Sequence, residues 1–122
     1  MRRSDAKRRP PVMLAAAPVA TPDIDLCVAQ DFERQDRALE ARVAALLARL
    51  QDFASSGGCS TCGPEVLAKA QGRWLRLRAS DCDAVHAIAA AGSGRNQARL
   101  GCLIEHTLAR TRQLDTLYDE AL

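Results

Sequence analysis

Residues 36–53 read DRALEARVAALLARLQDF, and this stretch decides the fold class. Apolar side chains recur along it at spacings of four and three residues: Leu39, Val43, Leu46, Leu50 and Phe53. That period places them on one face of an α-helix. No Gly or Pro interrupts the chain from Asp23 to Phe53. We therefore predict a first helix over residues 23–53 with one apolar side.

Two glycine-rich breaks bound the other helices. The first covers residues 54–63 and the second residues 91–94. Pro64 suits the first turn of a helix, where its missing N–H costs nothing, and Glu65 favours the positive end of the helix dipole. We predict a second helix over 64–90, with these residues on its buried side: Leu67, Ala70, Trp74, Leu77, Val85 and Ile88. A third helix is predicted over 95–120, with these in register: Leu100, Leu103, Thr107, Leu114, Leu117 and Ala121.

Composition and loop length give the architecture. Apolar residues make up 48% of the chain and aromatic residues only 3%, a bias against strands, which favour aromatic and β-branched side chains. A chain of 122 residues allows one domain with one modest core. Short connections make successive helices antiparallel. The fold class predicted is all-α, an up-down-up antiparallel three-helix bundle.

The charges divide the chain into a basic start and a mildly acidic body. Residues 21–122 hold 12 of the 17 basic and 14 of the 15 acidic residues. A body without a basic face speaks against a nucleic-acid partner. Residues 1–20 combine basic residues with the apolar run VMLAAAPVA, which is typical of a secretory signal. We expect a degenerate signal peptide or a basic tail there, a helical domain over 21–122, and no transmembrane segment.

Five cysteines in so short a chain favour export, because small exported domains use disulfides as staples. Residues equidistant from the loop of an antiparallel hairpin lie side by side. Cys82 lies ten residues before Gly92 and Cys102 ten residues after it. We therefore predict that a Cys82–Cys102 disulfide staples the second helix to the third.

The other cysteines lie at the opposite end of the bundle or at its start. Cys59 and Cys62 form a CxxC pair, but a zinc site needs about four ligands, and thioredoxin-type chemistry needs an α/β scaffold. A local disulfide or two plain thiols is the expectation, with no metal and no cofactor. Cys27 lies roughly 40 Å from that loop at 1.5 Å per helical residue. We expect it to be free or to pair outside the chain.

Polar residues inside the apolar pattern predict internal pairing. Reflection about the two loops places Asp36 within a turn of Arg78, and Arg110 beside Trp74. An ion pair and a cation–π contact would offset the cost of burying these charges. The alternative is a catalytic carboxylate, but glycoside chemistry needs two carboxylates across a cleft. We expect structural pairing and no enzymatic activity.

Three segments together resemble the bacterial lysozyme-inhibitor family named after LprI. They are LCVAQDFERQDRALEARVAALL from residue 26, QGRWLRLRASDC from residue 71, and CLIEHTLARTRQL from residue 102. The cysteines aside, the signature falls on Asp36, Leu39, Gln71, Trp74, Arg78, Thr107, Arg110 and Leu114. The resemblance implies an exported helical domain, with lysozyme inhibition in some members. Because the signature coincides with predicted core positions, we expect it to report the fold.

Two functions from different classes follow. The first is a periplasmic or secreted inhibitor, of the immunity type, that binds a lysozyme or another peptidoglycan hydrolase. The second is a structural or envelope-stress module with no hydrolase target. The first loop is long for a helix connection, which makes it the candidate contact region, unless it is merely a tolerated insertion. Its candidate residues are Ser55, Ser56, Gly57, Gly58, Ser60 and Thr61.

Overall fold

The structure, a computed structural model, describes residues 21–59, 61 and 63–122. Helix α1 spans Thr21–Ser55, α2 spans Pro64–Ile88 and α3 spans Arg95–Gln113. A π-helical turn, Leu114–Tyr118, and a short helix α4, Asp119–Ala121, complete the chain. The described ranges contain no strand, so the all-α prediction is confirmed. The predicted signal segment, residues 1–20, lies outside the described residues, as do Ser60 and Cys62.

Contacts between the helices give their directions. Asn96 near the start of α3 donates to Asp25 near the start of α1, and Asp115 just after α3 pairs with Arg42 farther along α1. Helices α1 and α3 are therefore parallel. Helix α2 is antiparallel to α3. Cys82, late in α2, is bonded to Cys102, early in α3, whereas Gln71, early in α2, accepts from Arg110, late in α3. This is the predicted up-down-up bundle.

The core consists mainly of leucines from α1 and α2. The following residues form one buried cluster: Leu39, Leu46, Leu50, Leu67, Trp74 and Leu114. Val43, Leu47, Tyr118 and Leu122 pack against it from partly buried positions. Fully burying a leucine contributes about 1.5–3 kcal/mol relative to exposure, so this cluster is the main source of bundle stability.

Two apolar residues of α2 that were predicted to be buried lie on the surface instead. Leu77 is 54% exposed and Ile88 is 85% exposed. The residue four positions after Trp74 is Arg78, and it is Arg78 that faces inward, followed by Cys82. One residue along a helix is a rotation of ~100°, which turns Leu77 outward when Arg78 points in. Both Leu77 and Arg78 were predicted to face inward, and two successive residues of a helix cannot both face the same core.

The π-helical turn also changes which residues face the core, at the C-terminal end of the chain. The amide of Asp119 donates to the carbonyl of Leu114, which is the i→i+5 pattern of a π-helix. The wider turn keeps Tyr118 and Leu122 against the core, four and eight residues after Leu114. Leu117 is 64% exposed, and Ala121 is also exposed. Both were predicted in register with the core, and both predictions were wrong.

Helix α1 ends in a Schellman motif. Gly57 has a φ of 83°, which favours glycine, and its amide donates to the carbonyl of Ala54 over 3.2 Å. The amide of Gly58 donates to the carbonyl of Phe53 over 2.9 Å. A Cβ at Gly58 would collide with the ring of Phe53. The first half of the long loop is therefore a defined turn held by these two glycines.

The predicted disulfide is present. Cys82 and Cys102 are bonded, with their Cα atoms 5.5 Å apart, and they join α2 to α3. Cys27 is free and exposed. Cys59 is disulfide-bonded, but because Cys62 is outside the described part of the chain, the local pairing of the two stays a prediction. Over the residues described, no helix combines the length and the hydropathy needed to span a bilayer.

Candidate functional site

Arg78 ties the three main helices together through one guanidinium nitrogen. Its Nη1 atom donates to Oδ1 of Asp36 on α1 over 2.8 Å and to Oγ1 of Thr107 on α3 over 2.8 Å. The Thr107 hydroxyl in turn donates to the carbonyl of Leu103 over 2.6 Å. Each polar group in this chain of bonds therefore has a partner, as buried polar groups require.

Two aromatic rings flank the same guanidinium. The Cζ atom of Arg78 lies 5.1 Å from the ring centroid of Phe32 and 4.8 Å from that of Trp74. Contacts of this kind stabilise a cation that has lost much of its water. Arg78 is only 9% exposed, whereas the Asp36 side chain is 26% exposed. The arginine end of the ion pair is therefore buried, and the carboxylate end reaches the surface of the bundle.

A second buried arginine, Arg110, also lies near Trp74. Nε of Arg110 donates to Oε1 of Gln71 over 3.0 Å, and Nη1 donates to Oε1 of Gln113 over 3.2 Å. Its Cζ atom is 6.0 Å from the Trp74 ring and 5.4 Å from the Tyr118 ring. The π-helical turn brings Tyr118 to this position. Trp74 therefore lies near two cations, Arg78 and Arg110.

The predicted pairs Asp36–Arg78 and Arg110–Trp74 are confirmed by these contacts. The sequence interpretation missed the bonds from Arg78 to Thr107 and from Arg110 to Gln71. A hydroxyl and an amide at core-facing positions of α3 and α2 were the available signal, since such groups need partners when buried. Leu39 and Leu114, the apolar signature positions, lie in the core. That the signature serves structure alone stays a prediction.

An open groove separates α1 from α2 beside this network. Its volume is about 200 Å³, and α1 and α2 contact each other less than either contacts α3. Five apolar residues line it, namely Leu39, Val43, Ala44, Leu47 and Leu75. The three polar residues of the lining are Asp36, Glu40 and Gln71. We call this the α1–α2 groove. Asp36 and Gln71 belong both to the groove and to the buried network, so the network reaches solvent here.

The loop joins the two helices that form the groove. Ser55, Ser56, Gly57, Gly58 and Thr61 are exposed, and Ser60 lies outside the described residues. A hydrogen bond from Oγ of Ser56 to the carbonyl of Phe53, 3.0 Å long, adds to the Schellman turn. These positions are accessible to a partner, as the predicted contact region requires. The role of the loop itself stays a prediction.

Ion pairs fasten the C-terminal segment to α1. Arg42 pairs with Asp115 at 2.6 Å and with Asp119 at 3.3 Å, and Arg49 also pairs with Asp119. The hydrogen bond from Arg49 lowers the pKa of Asp119 below its ordinary value of 3.8. The hydrogen bond to Asp115 raises the pKa of Arg42. These groups lie on the surface, so the pairs are screened by solvent and salt.

Comparisons with known proteins cover most of this arrangement. A family model described as "Lysozyme inhibitor LprI" matches residues 15–114. An uncharacterized protein of Rhizobium meliloti (strain 1021) is 30% identical over 107 residues, which is 84% of this chain and 77% of that protein. No solved structure matches the chain. The family match includes Arg78, Arg110 and their hydrogen-bond partners, and it ends at Leu114, before Tyr118.

Proposed function

The chain belongs to the LprI family of lysozyme inhibitors, and from this membership we propose that it is an exported protein that inhibits a lysozyme or another peptidoglycan hydrolase. The observation that carries the proposal is the family match over residues 15–114, which covers α1, α2 and α3. The predicted family resemblance is confirmed by the same match.

The disulfide supports export. A cystine that joins two helices persists in oxidising compartments and is rare in the cytosol, where thiols are kept reduced. Cys82 is fully buried, which makes the bond hard to reach for a reductant. We therefore assign the protein to the periplasm or the extracellular medium. Osmotic-shock fractionation of the host, with the chain detected by antibody, tests this: recovery with cytosolic markers would contradict export.

The proposed mode of action is binding rather than catalysis. The arginines of the network make hydrogen bonds inside the bundle, since Asp36 accepts from Arg78 and Gln71 accepts from Arg110. They are thus committed to holding the bundle. Inhibition then depends on exposed surface, where a rigid helical scaffold presents loops and grooves to a partner.

We place the contact surface on the α1–α2 side of the bundle. The loop at residues 54–63 connects the two helices that line the α1–α2 groove, so both can belong to one interface. Leu75 is 44% exposed at the groove, an apolar group of the kind that interfaces bury. Glu40 supplies negative charge beside it. Negative charge on this side would speed encounter with a cationic hydrolase.

The deciding experiment is an inhibition assay with the oxidised full chain. Lysis of a cell-wall suspension by lysozyme, followed by turbidity, should slow in proportion to the protein added, and binding measured by calorimetry should have the same concentration dependence. Bovine serum albumin at equal concentration controls for nonspecific effects. No inhibition of any lysozyme or of the host's own cell-wall hydrolases at micromolar concentration would favour the alternative, an envelope module without a hydrolase target.

A further inference from the structure

A row of basic side chains lies on the outer side of α2. The residues of this helix that face the core include Leu67, Trp74 and Arg78. At ~100° per residue, the opposite side of α2 presents three exposed cations: Lys69, Arg73 and Arg76. None of these cations forms an ion pair with another described residue, and residues 66–80 contain no Asp or Glu. Contrary to the expectation from net charge, the body of the chain therefore has one basic face.

Three large apolar side chains border the basic face. Val66, Leu77 and Ile88 are 47%, 54% and 85% exposed. Successive members are 11 residues apart, which is about three helical turns with a net rotation of only ~20°, so the three form one line along α2. Arg73 lies within ~40° of that line. Basic and apolar groups therefore share one outer surface of this helix.

The acidic residues of α2 do not neutralise this surface. Asp81 and Asp83 follow the acid-free stretch, and each lies against a basic group of α3. Oδ2 of Asp81 is 3.1 Å from Nε2 of His106, and Oδ1 of Asp83 is 3.5 Å from Nε of Arg99. Glu65, one turn before the first cation of the row, makes no ion pair with it. The three cations therefore set the charge of the surface over the first two-thirds of α2.

We infer that this surface of α2 docks on an anionic lipid bilayer. The basic row lies at the level of the lipid phosphates, and the apolar line enters the boundary between headgroups and acyl chains, as on helices that lie in a membrane interface. The aliphatic stems of Lys69, Arg73 and Arg76 are covered as well, while their charged ends stay at the phosphates. The bilayer thus matches both kinds of side chain on this surface.

Two features of the surface favour a bilayer and fix how the bundle lies on it. A soluble polyanion supplies negative charge alone, so Leu77 and Ile88 would stay exposed to water beside it. Leu75, which lines the α1–α2 groove, lies ~100° around α2 from Arg76, on the side away from Leu77. Docking through the basic face therefore leaves open the inhibitory surface proposed above.

Sedimentation with vesicles of equal parts phosphatidylglycerol and phosphatidylcholine tests the charges, using the oxidised full chain. Each Lys or Arg near an anionic surface changes partition about fivefold, so the variant Lys69→Gln/Arg73→Gln/Arg76→Gln should bind about 100-fold more weakly. The matched control is Arg37→Gln/Arg95→Gln/Arg112→Gln. It removes the same net charge from exposed arginines of α1 and α3 that form no ion pair with a described residue. The control should lose less than about fivefold, because charge farther from the bilayer is screened.

A second pair of variants tests the apolar line. Leu77→Gln/Ile88→Gln should weaken vesicle binding about tenfold and leave binding to heparin, a soluble polyanion, unchanged. Leu26→Gln/Leu117→Gln, at apolar side chains exposed elsewhere, is the control and should bind vesicles like the parent. Circular dichroism checks that each variant is folded, and residues 1–20 are the same in all of them.

Four results would overturn the inference. They are no binding of the parent to the anionic vesicles, equal binding to pure phosphatidylcholine, equal losses in the two triple variants, and no loss in the Leu77→Gln/Ile88→Gln variant. The last result, together with binding to heparin, would assign the basic face to a soluble polyanion. None of these readouts involves a hydrolase, so failure here leaves the proposed inhibition untouched.

Discussion

Arg78 donates from Nη1 to Oδ1 of Asp36 over 2.8 Å, across 42 positions of the sequence. The same nitrogen reaches Thr107 on α3, so one arginine links all three main helices. Such a contact has a geometric consequence: sliding any one helix by a turn would leave a charge buried without its partner. We infer that the pair sets the register of the bundle as well as adding to its stability.

Replacing Asp36 with Ala should destabilise the fold. The substitution leaves the guanidinium of Arg78 in the interior without its counter-ion, and stranding a buried charge costs about 3–5 kcal/mol. We expect the lower end of that range, because the Asp36 side chain is 26% exposed. Urea unfolding measures the change, with Glu40→Ala on the same helix as the control. A loss below about 0.5 kcal/mol would show that Asp36 is solvated.

The Cys82–Cys102 disulfide should contribute about 2–4 kcal/mol to the free energy of unfolding. Cys82→Ser/Cys102→Ser is the variant to compare with the oxidised parent, and Cys27→Ser, at a free and exposed thiol, is its control. Peptide mapping without reduction should recover the two cysteines in one linked fragment. Alkylation of both in oxidised, unfolded protein would show that the bond does not form.

Exchanging residues 55–62 for a Gly/Ser linker should abolish inhibition and leave the helices intact. Ser55, the last residue of α1, is the one helical residue of this segment, so the far-ultraviolet spectrum should hardly change. An insertion of the same linker into the second loop, residues 91–94, controls for added flexibility. If inhibition survives the exchange, the loop is only a tolerated insertion, while the family assignment still stands.

The α1–α2 groove should contribute to the same interface. Leu75→Arg places a positive charge and extra bulk at the groove and should weaken inhibition at least tenfold. Leu77→Arg is a matched control, because Leu77 is 54% exposed on the same helix but does not line the groove. Inhibition constants and unfolding curves are measured for both. Equal inhibition by the two variants would place the interface elsewhere.

Stability should fall in acid partly through Asp119. Its pKa is lowered in the folded state by the hydrogen bond from Arg49, so its contribution is present above the ordinary value of 3.8 and is lost as pH falls through the lower folded value. Asp119→Asn should be less stable than the parent at pH 7, and the difference should vanish at the acid end. Glu120→Gln is the control. Parallel curves for parent and Asp119→Asn from pH 7 to pH 2 would contradict this assignment.

The sequence by itself determined the helices, their order and three contacts between them: Cys82–Cys102, Asp36–Arg78 and Arg110–Trp74. Leu39, Leu46 and Leu50 lie four or seven residues apart, and this local period survives folding because the apolar face of α1 has no other place to be buried. Equal distances from a tight loop likewise fixed Cys82 opposite Cys102. These features follow from helix geometry and chain connectivity, so they needed no knowledge of the other helices.

Only the tertiary structure decided which predicted core residues are excluded from the interior and where the bundle stays open. Arg78 displaced Leu77 from the interior because partners on two other helices satisfy its charge. Because of the π-helical turn, Tyr118 faces the core in place of Leu117 and its ring lies against Arg110. The groove arises because α1 and α2 pack more closely on α3 than on each other. Each outcome depends on groups far apart in the chain, and a periodic pattern in one helix carries no information about them.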